Sequence, residues 1–391
     1  RGHRITYSSP ARAPSRLIGE AGFENRPPKH PLFHFVSGRP SLGRLRRIVG
    51  APDFERDYGS VPRFVVELIK AIPLRFAPMT AEVWDGNHAA AMVGMMNANF
   101  VRATLGAMIR LIRDVDPDVV VDFWNPLAGA AARVLHKPLV AVMQADQHPA
   151  NPGFIWWKEP PPDRPTAVPA VNTVLREHGL PPVDRIEELS VGDLTLMLGM
   201  PETDPVPAAA SVTHVGAILW QSPDASLPDW AEQLDFERPV VWIYTGNPRY
   251  GRREGPLDSR VVLDACVSAL ADQDVQVVLT SGHHALPPEA LPLPHNFRHE
   301  RFVPGLAMAE RCDLMVHHGG FGSCQTGLYT GTPAVIIPTF SERESNARRV
   351  AAAGAGAFLL PTVDASGRKL SLIHISEPTR PAPLSRMPSS A

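Results

Sequence analysis

The sequence has few cysteines, no long hydrophobic run and no excess of either charge. Its 391 residues include three cysteines, Cys266, Cys312 and Cys324, and none belongs to a C-x-x-C pair. This excludes a disulfide framework and a cysteine metal cage, and favours a reducing, cytoplasmic location. No stretch approaches the about 20 apolar residues of a membrane span, and the first residues lack the apolar core of a signal peptide. The 38 basic and 40 acidic residues nearly cancel, which argues against a nucleic-acid partner.

Apolar residues make up 44% of the chain, the composition of a globular protein long enough for two domains. Short apolar runs alternate with stretches of helical spacing and end near Gly, Pro, Asn or Asp, which is typical of parallel α/β units. One Ala-rich helix is predicted over 127–135, after Asn125 and Pro126. The runs predict strands at 5–9, 119–124, 139–144, 194–198, 240–245, 275–280, 301–303, 314–316 and 334–337.

Both ends of the chain are unusual. It begins at Arg1 without a methionine and runs directly into a predicted strand, so we expect the first strand and helix of the domain to be missing. Residues 370–380 read LSLIHISEPTR, which resembles the translation of a transposase mosaic end and adapter used in sequencing libraries. We therefore expect residues 370–391 to be a non-native, disordered tail and exclude them from fold reasoning.

The densest chemical signal is the run His317-His318-Gly319-Gly320-Phe321-Gly322-Ser323, which joins a predicted strand to a predicted helix. A diphosphate needs such a turn, because the helix start offers unpaired N–H groups and a positive dipole end, and glycine allows close approach. His318 adds a side-chain donor and Ser323 a hydroxyl. Taken alone, the glycines are equally compatible with a tight turn that serves packing.

The flanking residues form a series of linked motifs: FVP at 302–304, CDLMVHHGGFGS at 312–323, GTPAVIIP at 331–338, NARRV at 346–350 and GAGA at 354–357. In order and spacing these motifs resemble the GT-B nucleotide-sugar glycosyltransferases, in the superfamily of the UDP-glycosyltransferases and the macrolide and antibiotic glycosyltransferases. Weaker similarities lie at 1–6 (RGHRIT), 117–122 (PDVVVD) and around Val215, Gly216 and Trp220.

The resemblance implies a role for each matching residue. Donor phosphate binding falls to His318, Gly320, Gly322, Ser323, Gly246 and Asn247. Donor base binding falls to Phe302 through its ring and to Val303 through its backbone. Donor sugar binding falls to Glu342, Arg343 and Asn346.

Two positions depart from the family. Many relatives have Asp-Gln where this chain has Glu342-Arg343, so the sugar is not identified. Thr326 replaces the ribose-binding glutamate of the plant enzymes, so the resemblance does not decide between uridine and thymidine diphosphate donors.

The catalytic base of relatives is a histidine in the loop after the first strand, a position that would lie before Arg1. Asp122 matches the acid that orients this base, although an Asp at a strand end also caps loops. Inverting relatives use no metal, and the sequence shows no D-x-D pair beside the predicted donor cleft, so no metal and no cofactor are expected.

Several other residues are compatible with more than one interpretation. His317 is expected to be a packed strand residue rather than a phosphate ligand. Phe154 and the Trp156-Trp157 pair suit either a lipophilic acceptor site or interdomain packing. Cys324 is expected to be an inert buried thiol, and His283-His284 a loop pair rather than a metal site.

The predicted fold class is α/β, GT-B, with two Rossmann-like domains whose parallel sheets face each other across a cleft. The acceptor domain is expected at 1–221, a linker at 222–228 and the donor domain at 229–369. The expected reaction is inverting, metal-independent transfer of a hexosyl group from a nucleotide diphosphate sugar to a hydroxyl of a hydrophobic small molecule. A nucleotide-sugar epimerase and a catalytically incomplete donor-binding fragment remain alternatives.

Overall fold

A computed structural model describes residues 2–8, 18–28, 42–52, 54–55, 60–71, 82–222, 225–246, 260–282, 284–363 and 369–371. No helix in these ranges is both long and apolar enough to cross a membrane. Of the predicted tail, only 370 and 371 fall within the described residues, at the end of a short strand; the remainder lies outside them.

The described strands are short, as expected of α/β units. In chain order they are β1 (Thr6–Tyr7), β2 (Glu24–Asn25), β3 (Val120–Asp122), β4 (Leu139–Met143), β5 (Leu194–Leu198), β6 (Thr213–Gly216), β7 (Val240–Tyr244), β8 (Gln276–Thr280), β9 (Phe297–Glu300), β10 (Leu314–His317), β11 (Ala334–Ile336), β12 (Gly356–Phe358), β13 (Thr362–Val363) and β14 (Lys369–Ser371).

The α-helices alternate with the strands over most of the described chain. In chain order they are α1 (Leu42–Val49), α2 (Val61–Ala71), α3 (Gly86–Ala90), α4 (Ala98–Val115), α5 (Pro126–Val134), α6 (Val168–Glu177), α7 (Arg260–Leu270), α8 (Gly305–Ala309), α9 (Phe321–Thr330) and α10 (Ser341–Ala352).

The chain forms two compact units, and each is discontinuous in sequence. The first unit comprises Arg1–Pro78, Gly86–Val142 and Asp163–Thr195. The second unit comprises Met79–Asp85, Met143–Pro162 and Leu196–Ala391. The segment predicted as a linker, 222–228, falls within the second unit, and its residues 223 and 224 lie outside the described ranges.

In the first unit, β1 pairs with β2 and β3 pairs with β4, both in parallel. Strands β3 and β4 also belong to a four-stranded sheet of order β3-β4-β5-β6. Helices α4, α5 and α6 cover this unit's apolar core. Helix α4 begins after Asn97, whose Oδ1 accepts the N–H groups of Asn99 and Phe100, so the side chain satisfies donors that the first turn cannot use.

The second unit is built on a six-stranded parallel sheet of order β12-β11-β10-β7-β8-β9. Alternate residues of β7 point to opposite faces: Val240 and Trp242 join one apolar cluster, and Val241 and Ile243 join the other. Helices therefore cover both faces, and nearly continuous apolar strands such as β7 are the expected result.

The structure agrees with most predicted strands to within one or two residues, but the strand predicted at 301–303 is wrong. The strand in that region is β9, Phe297–Glu300, which reads Phe-Arg-His-Glu. Its three consecutive polar residues lack the apolar run by which parallel strands are recognised, because β9 lies at the edge of its sheet. The short strands β2, β6, β12, β13 and β14 were not predicted either.

Candidate functional site

The candidate site lies where the strand order of the second unit reverses. Strand β7 is the first strand of this sheet along the chain; β8 and β9 follow on one side, and β10, β11 and β12 on the other. Strands β7 and β10 are direct neighbours, with Tyr244 opposite His317. In open α/β sheets, ligands bind beyond the carboxyl ends of strands at this switch point. The loops that follow β7 and β10 are therefore the ones expected to contact a ligand.

The structure brings three predicted phosphate-binding residues together at this point. A Cβ atom on Gly246 would lie 3.0 Å from Cε1 of His318, and one on Gly320 would lie 2.7 Å from Nε2 of the same ring. The His318 imidazole thus lies between two glycines from different loops. Any side chain at Gly320 would displace the ring, so the glycines define its position.

Tyr244 adds an aromatic contact that sequence reasoning missed. Its ring meets the His318 ring edge to face, with centroids 5.6 Å apart and planes at 73°. The Tyr244 ring also stacks on Trp242, with centroids 6.2 Å apart. Burial raises the pKa of the Tyr244 phenol. The indication available in the sequence was that the last residue of β7 is a tyrosine, which carries a polar hydroxyl two positions before Gly246.

Helix α9 begins at the glycine-rich turn with Gly320 as its N-cap residue. The carbonyl of Gly320 accepts the N–H groups of Ser323 (3.0 Å) and Cys324 (3.1 Å). The N–H groups of Phe321 and Gly322 precede the first intrahelical donors, so they remain for a ligand at the positive end of the helix dipole. Because the N–H of Ser323 is used within the helix, this residue can contact a ligand through its hydroxyl.

The strand residue His317 is fully buried and holds the turn from within. Its Nδ1 accepts the N–H of Gly319 at 3.1 Å, and Gly319 has a φ of +87°, a conformation that favours glycine. Burial lowers the pKa of His317 to about 4, so the ring is neutral near neutral pH. This agrees with the expectation of a packed strand histidine.

The predicted sugar-binding residues lie at the start of α10. Asn346 is 2% exposed, and its Nδ2 donates to the carbonyl of Gly319 (3.0 Å) and to Oε1 of Glu342 (2.7 Å). Its Oδ1 accepts a hydrogen bond from Arg349. Burial raises the pKa of Glu342. Both ends of the Asn346 amide are therefore engaged by protein groups.

Arg343 departs from the family pattern and contributes a positive charge. Its Nη1 donates to Oγ1 of the buried Thr339. Burial lowers the pKa of the Arg343 guanidinium, opposed by the charge of Glu342 and by an electrostatic interaction with Tyr244. Arg343 therefore interacts electrostatically with Tyr244, the residue whose ring contacts His318.

Behind the site lies a buried ionic cluster that sequence reasoning did not find. Arg349 approaches Asp146 and Asp204, each at 3.4 Å, and all three side chains are buried. Burial raises the pKa of Asp146 to about 7, opposed by the charge of Arg349. Arg349 belongs to the NARRV motif, but nothing in the sequence indicates its two partners.

The remaining predicted donor residues are placed as follows. Phe302 is 56% exposed, and the Val303 side chain is buried, so Val303 can meet a ligand only through its backbone. Asn247 lies outside the described residues, as does His283. The described ranges hold no group of three or more His, Cys, Asp or Glu side chains arranged to bind a metal ion.

The aromatic segment after β4 contacts the arginines of α10. The guanidinium of Arg348 lies 3.8 Å from the ring centroid of Trp157, and that of Arg349 lies 5.2 Å from Trp156. Phe154 is 3% exposed. These contacts favour packing over an acceptor-lining role for the tryptophans. Cys324 is buried and burial raises its thiol pKa, as expected of an inert cysteine.

Asp122, the predicted orienting acid, ends β3 in the first unit. Both carboxylate oxygens accept the N–H of Asn125, at 3.0 and 3.1 Å. Burial raises its pKa to about 7, against the lowering effect of these hydrogen bonds. The carboxyl group therefore caps the start of the loop before α5, and it titrates close to neutral pH.

Comparisons with known proteins match this chain to a family of biosynthesis proteins and to glycosyltransferases. Residues 264–379 match the family model described as erythromycin biosynthesis protein CIII-like, C-terminal domain. Over 137 residues the chain is 38% identical to 4'-demethylrebeccamycin synthase of Lentzea aerocolonigenes, covering 35% of this chain but only 30% of that protein. Over 358 residues it is 27% identical to a PGL/p-HBAD biosynthesis glycosyltransferase of Mycobacterium tuberculosis (strain ATCC 25177 / H37Ra), covering 84% of this chain and 78% of that protein.

The solved structures agree on the fold. The structure of glycosyltransferase VinC in complex with DTDP matches with a TM-score of 0.56 at 19% identity, covering 92% of this chain and 80% of that one. The predicted GT-B fold is therefore confirmed.

Proposed function

Because the chain belongs to the superfamily of GT-B nucleotide-sugar glycosyltransferases, we propose that the protein transfers a hexosyl group from a nucleotide diphosphate sugar to a hydroxyl of a lipophilic small molecule. We further propose that transfer inverts the anomeric carbon and needs no metal ion. The observation that carries the proposal is the His318 imidazole, held between Gly246 and Gly320 beside the start of α9. It lies at the switch point of the sheet, where a ligand is expected.

The reaction requires stabilisation of a departing diphosphate. In the proposal, the N–H groups of Phe321 and Gly322, the hydroxyl of Ser323 and the ring of His318 donate to the β-phosphate oxygens. The positive end of the α9 dipole adds to the same field. Such preorganised donors stabilise the charge that develops on the leaving group, the role that a cation fills in metal-dependent enzymes.

The donor is proposed to be a uridine or thymidine diphosphate sugar. The structurally similar VinC was solved in complex with DTDP, which supports a nucleoside diphosphate in this fold. The exposed ring of Phe302 is proposed to stack on the base, and Glu342 and Arg343 are the side chains proposed to meet the sugar. Asp122 is proposed to orient a histidine base, since its buried carboxyl group can hold an imidazole N–H.

The proposal is tested by incubating the full-length protein with UDP-hexose or dTDP-hexose and a panel of phenolic and macrolide alcohols. We expect a glycoside whose anomeric configuration, read by proton NMR, is opposite to that of the donor, in equal yield with and without EDTA. His318→Ala should lower the rate at least about 100-fold, the scale of losing a leaving-group donor. Gly106→Ala serves as a control, since the added methyl group meets only the flexible Arg110 at 3.6 Å.

Three outcomes would contradict the proposal. Retention of the donor's configuration would exclude inversion, and loss of activity in EDTA would exclude metal independence. Equilibration of the donor sugar with its epimer, without transfer to any acceptor, would point to an epimerase instead.

A further inference from the structure

Both peptide groups that flank the Cα atom of Gly319 are held by buried side chains. The N–H of Gly319 donates to Nδ1 of His317 at 3.1 Å, and its carbonyl accepts from Nδ2 of Asn346 at 3.0 Å. His317 is 0% exposed and Asn346 is 2% exposed. Two elements, β10 and α10, therefore fix a single glycine from its two sides.

The geometry of Gly319 determines the direction of the groups that follow it. A peptide group is planar, so holding the Gly319 carbonyl also fixes the N–H of Gly320, which points the opposite way. The carbonyl of Gly320 then accepts the N–H groups of Ser323 and Cys324. The orientation of Gly319 therefore determines the direction of the first turn of α9. A Cβ atom on the adjoining Gly320 would lie 2.7 Å from Nε2 of His318.

The imidazole of His317 supplies an acceptor that an apolar side chain would lack. With Nδ1 accepting, the neutral ring carries its proton on Nε2. Nε2 has no hydrogen-bond partner among the residues the structure describes. A buried donor without an acceptor costs stability, and a leucine would avoid that cost. What histidine gains in exchange is the hydrogen bond to Gly319.

We propose that His317 and Asn346 are positioning residues that orient the glycine-rich turn for a nucleoside diphosphate. The inference rests on the proposed donor site. Neither side chain touches the ligand: His317 acts through the Gly319 N–H, and Asn346 acts through the Gly319 carbonyl. Asn346 is itself held by Glu342 and Arg349, so the buried cluster behind the site supports the same turn.

The test is isothermal titration of UDP and dTDP into the wild-type chain and four variants. Asparagine places Oδ1 near the position of the histidine Nδ1, whereas the glutamine amide lies one bond farther out. We expect His317→Asn to bind the tighter diphosphate within about threefold of wild type, and His317→Gln and Asn346→Ala to lose about tenfold, the scale of one hydrogen bond. Asn172→Ala is the matched control, since Asn172 holds Val183 N and O in the same way, at 2.9 and 2.8 Å.

A second titration with the nucleosides uridine and thymidine separates positioning from general damage. Nucleosides lack phosphates, so their affinity should be the same in every variant. The inference is overturned if His317→Gln binds the diphosphate like wild type, if His317→Asn loses as much as His317→Gln, or if nucleoside affinity falls in parallel. If the wild-type chain binds neither diphosphate, the proposed donor site fails, and the inference fails with it.

The comparison of His317→Asn with His317→Gln keeps the test decisive even if Asn346→Ala does not fold. Both variants change the same position and both introduce an amide group. Thermal unfolding of each variant, followed by circular dichroism, identifies any that do not fold. If both His317 variants unfold at the wild-type temperature yet differ in diphosphate affinity as stated, a purely structural role for His317 is excluded.

Discussion

At the scale of single residues, the site depends on close packing around the imidazole of His318. A Cβ atom added to Gly246 would lie 3.0 Å from the His318 ring, and one added to Gly320 would lie 2.7 Å from it. Tyr244 meets the same ring edge to face. Gly320 has ordinary backbone angles, with φ −61° and ψ 140°. A substitution there changes the ring position without straining the backbone, which makes it a specific probe of His318.

Asp122 provides a prediction in which burial sets the sign of the pH dependence. Its pKa is near 3.9 when unfolded and about 7 when folded, so the native state binds the proton more tightly. The stability that Asp122 contributes is therefore present at low pH and is lost as pH rises from about 4 to 7. The free energy of unfolding of wild type minus that of Asp122→Asn should fall by up to about 1.4 kcal/mol per pH unit in this window.

Urea unfolding at a series of pH values between about 2 and 8 covers the windows of both carboxyl groups and measures this difference. Asp116→Asn is the control of opposite sign, because the hydrogen bond and charge of Lys137 lower the pKa of Asp116. The Asp116–Lys137 pair should stabilise the protein above the unfolded pKa of Asp116, and this stability should be lost as pH falls through the folded pKa. A difference for Asp122→Asn that stays constant across the series would show that its carboxyl group is not perturbed by burial.

At the scale of secondary-structure elements, α10 connects the glycine-rich turn to distant parts of the second unit. Arg349 is buried against Asp146 and Asp204, whereas its neighbour Arg348 packs on Trp157 and pairs with Glu344 at 3.0 Å while retaining 20% side-chain exposure. Adjacent arginines on one helix therefore occupy very different dielectric environments.

These environments predict that replacing Arg349 or Arg348 by methionine lowers the free energy of unfolding by different amounts. Arg349→Met leaves two buried carboxyl groups without their cation and should cost about 3–5 kcal/mol in the free energy of unfolding. Arg348→Met removes a partly exposed pair and a cation–π contact and should cost about 1 kcal/mol. Urea unfolding of the two variants at pH 7 gives the comparison. Equal losses would mean that the Arg349 cluster contributes no more than a surface ion pair.

Sequence reasoning worked best where an element's residues are contiguous. The strand of apolar residues before His317 and the glycines after it lie in one segment, so β10, the turn and α9 were all predictable. Partners brought together by folding were not: Tyr244 meets His318 across the sheet, and Asp146 meets Arg349 across 203 residues of sequence. Strand β9 was missed because its polar residues at a sheet edge mimic a loop.

At the scale of the whole molecule, each of the two compact units is discontinuous in sequence. The segment Met143–Pro162 lies between two segments of the first unit in sequence, yet it belongs to the second. Its Asp146, Trp156 and Trp157 are the residues that contact the arginines of α10. These side chains therefore connect the segment to α10, which lies in the same unit.

The proposed activity depends on the loops after β7 and β10 holding a nucleoside diphosphate through the confined imidazole of His318. The decisive experiment is calorimetric titration of UDP and dTDP into Gly320→Ala, with Gly106→Ala as the matched control. We predict that Gly320→Ala weakens binding of the preferred diphosphate by about tenfold or more, the scale of one charge-assisted hydrogen bond, while the control binds like wild type. Unchanged affinity in a folded Gly320→Ala protein would show that the position of His318 does not govern diphosphate binding.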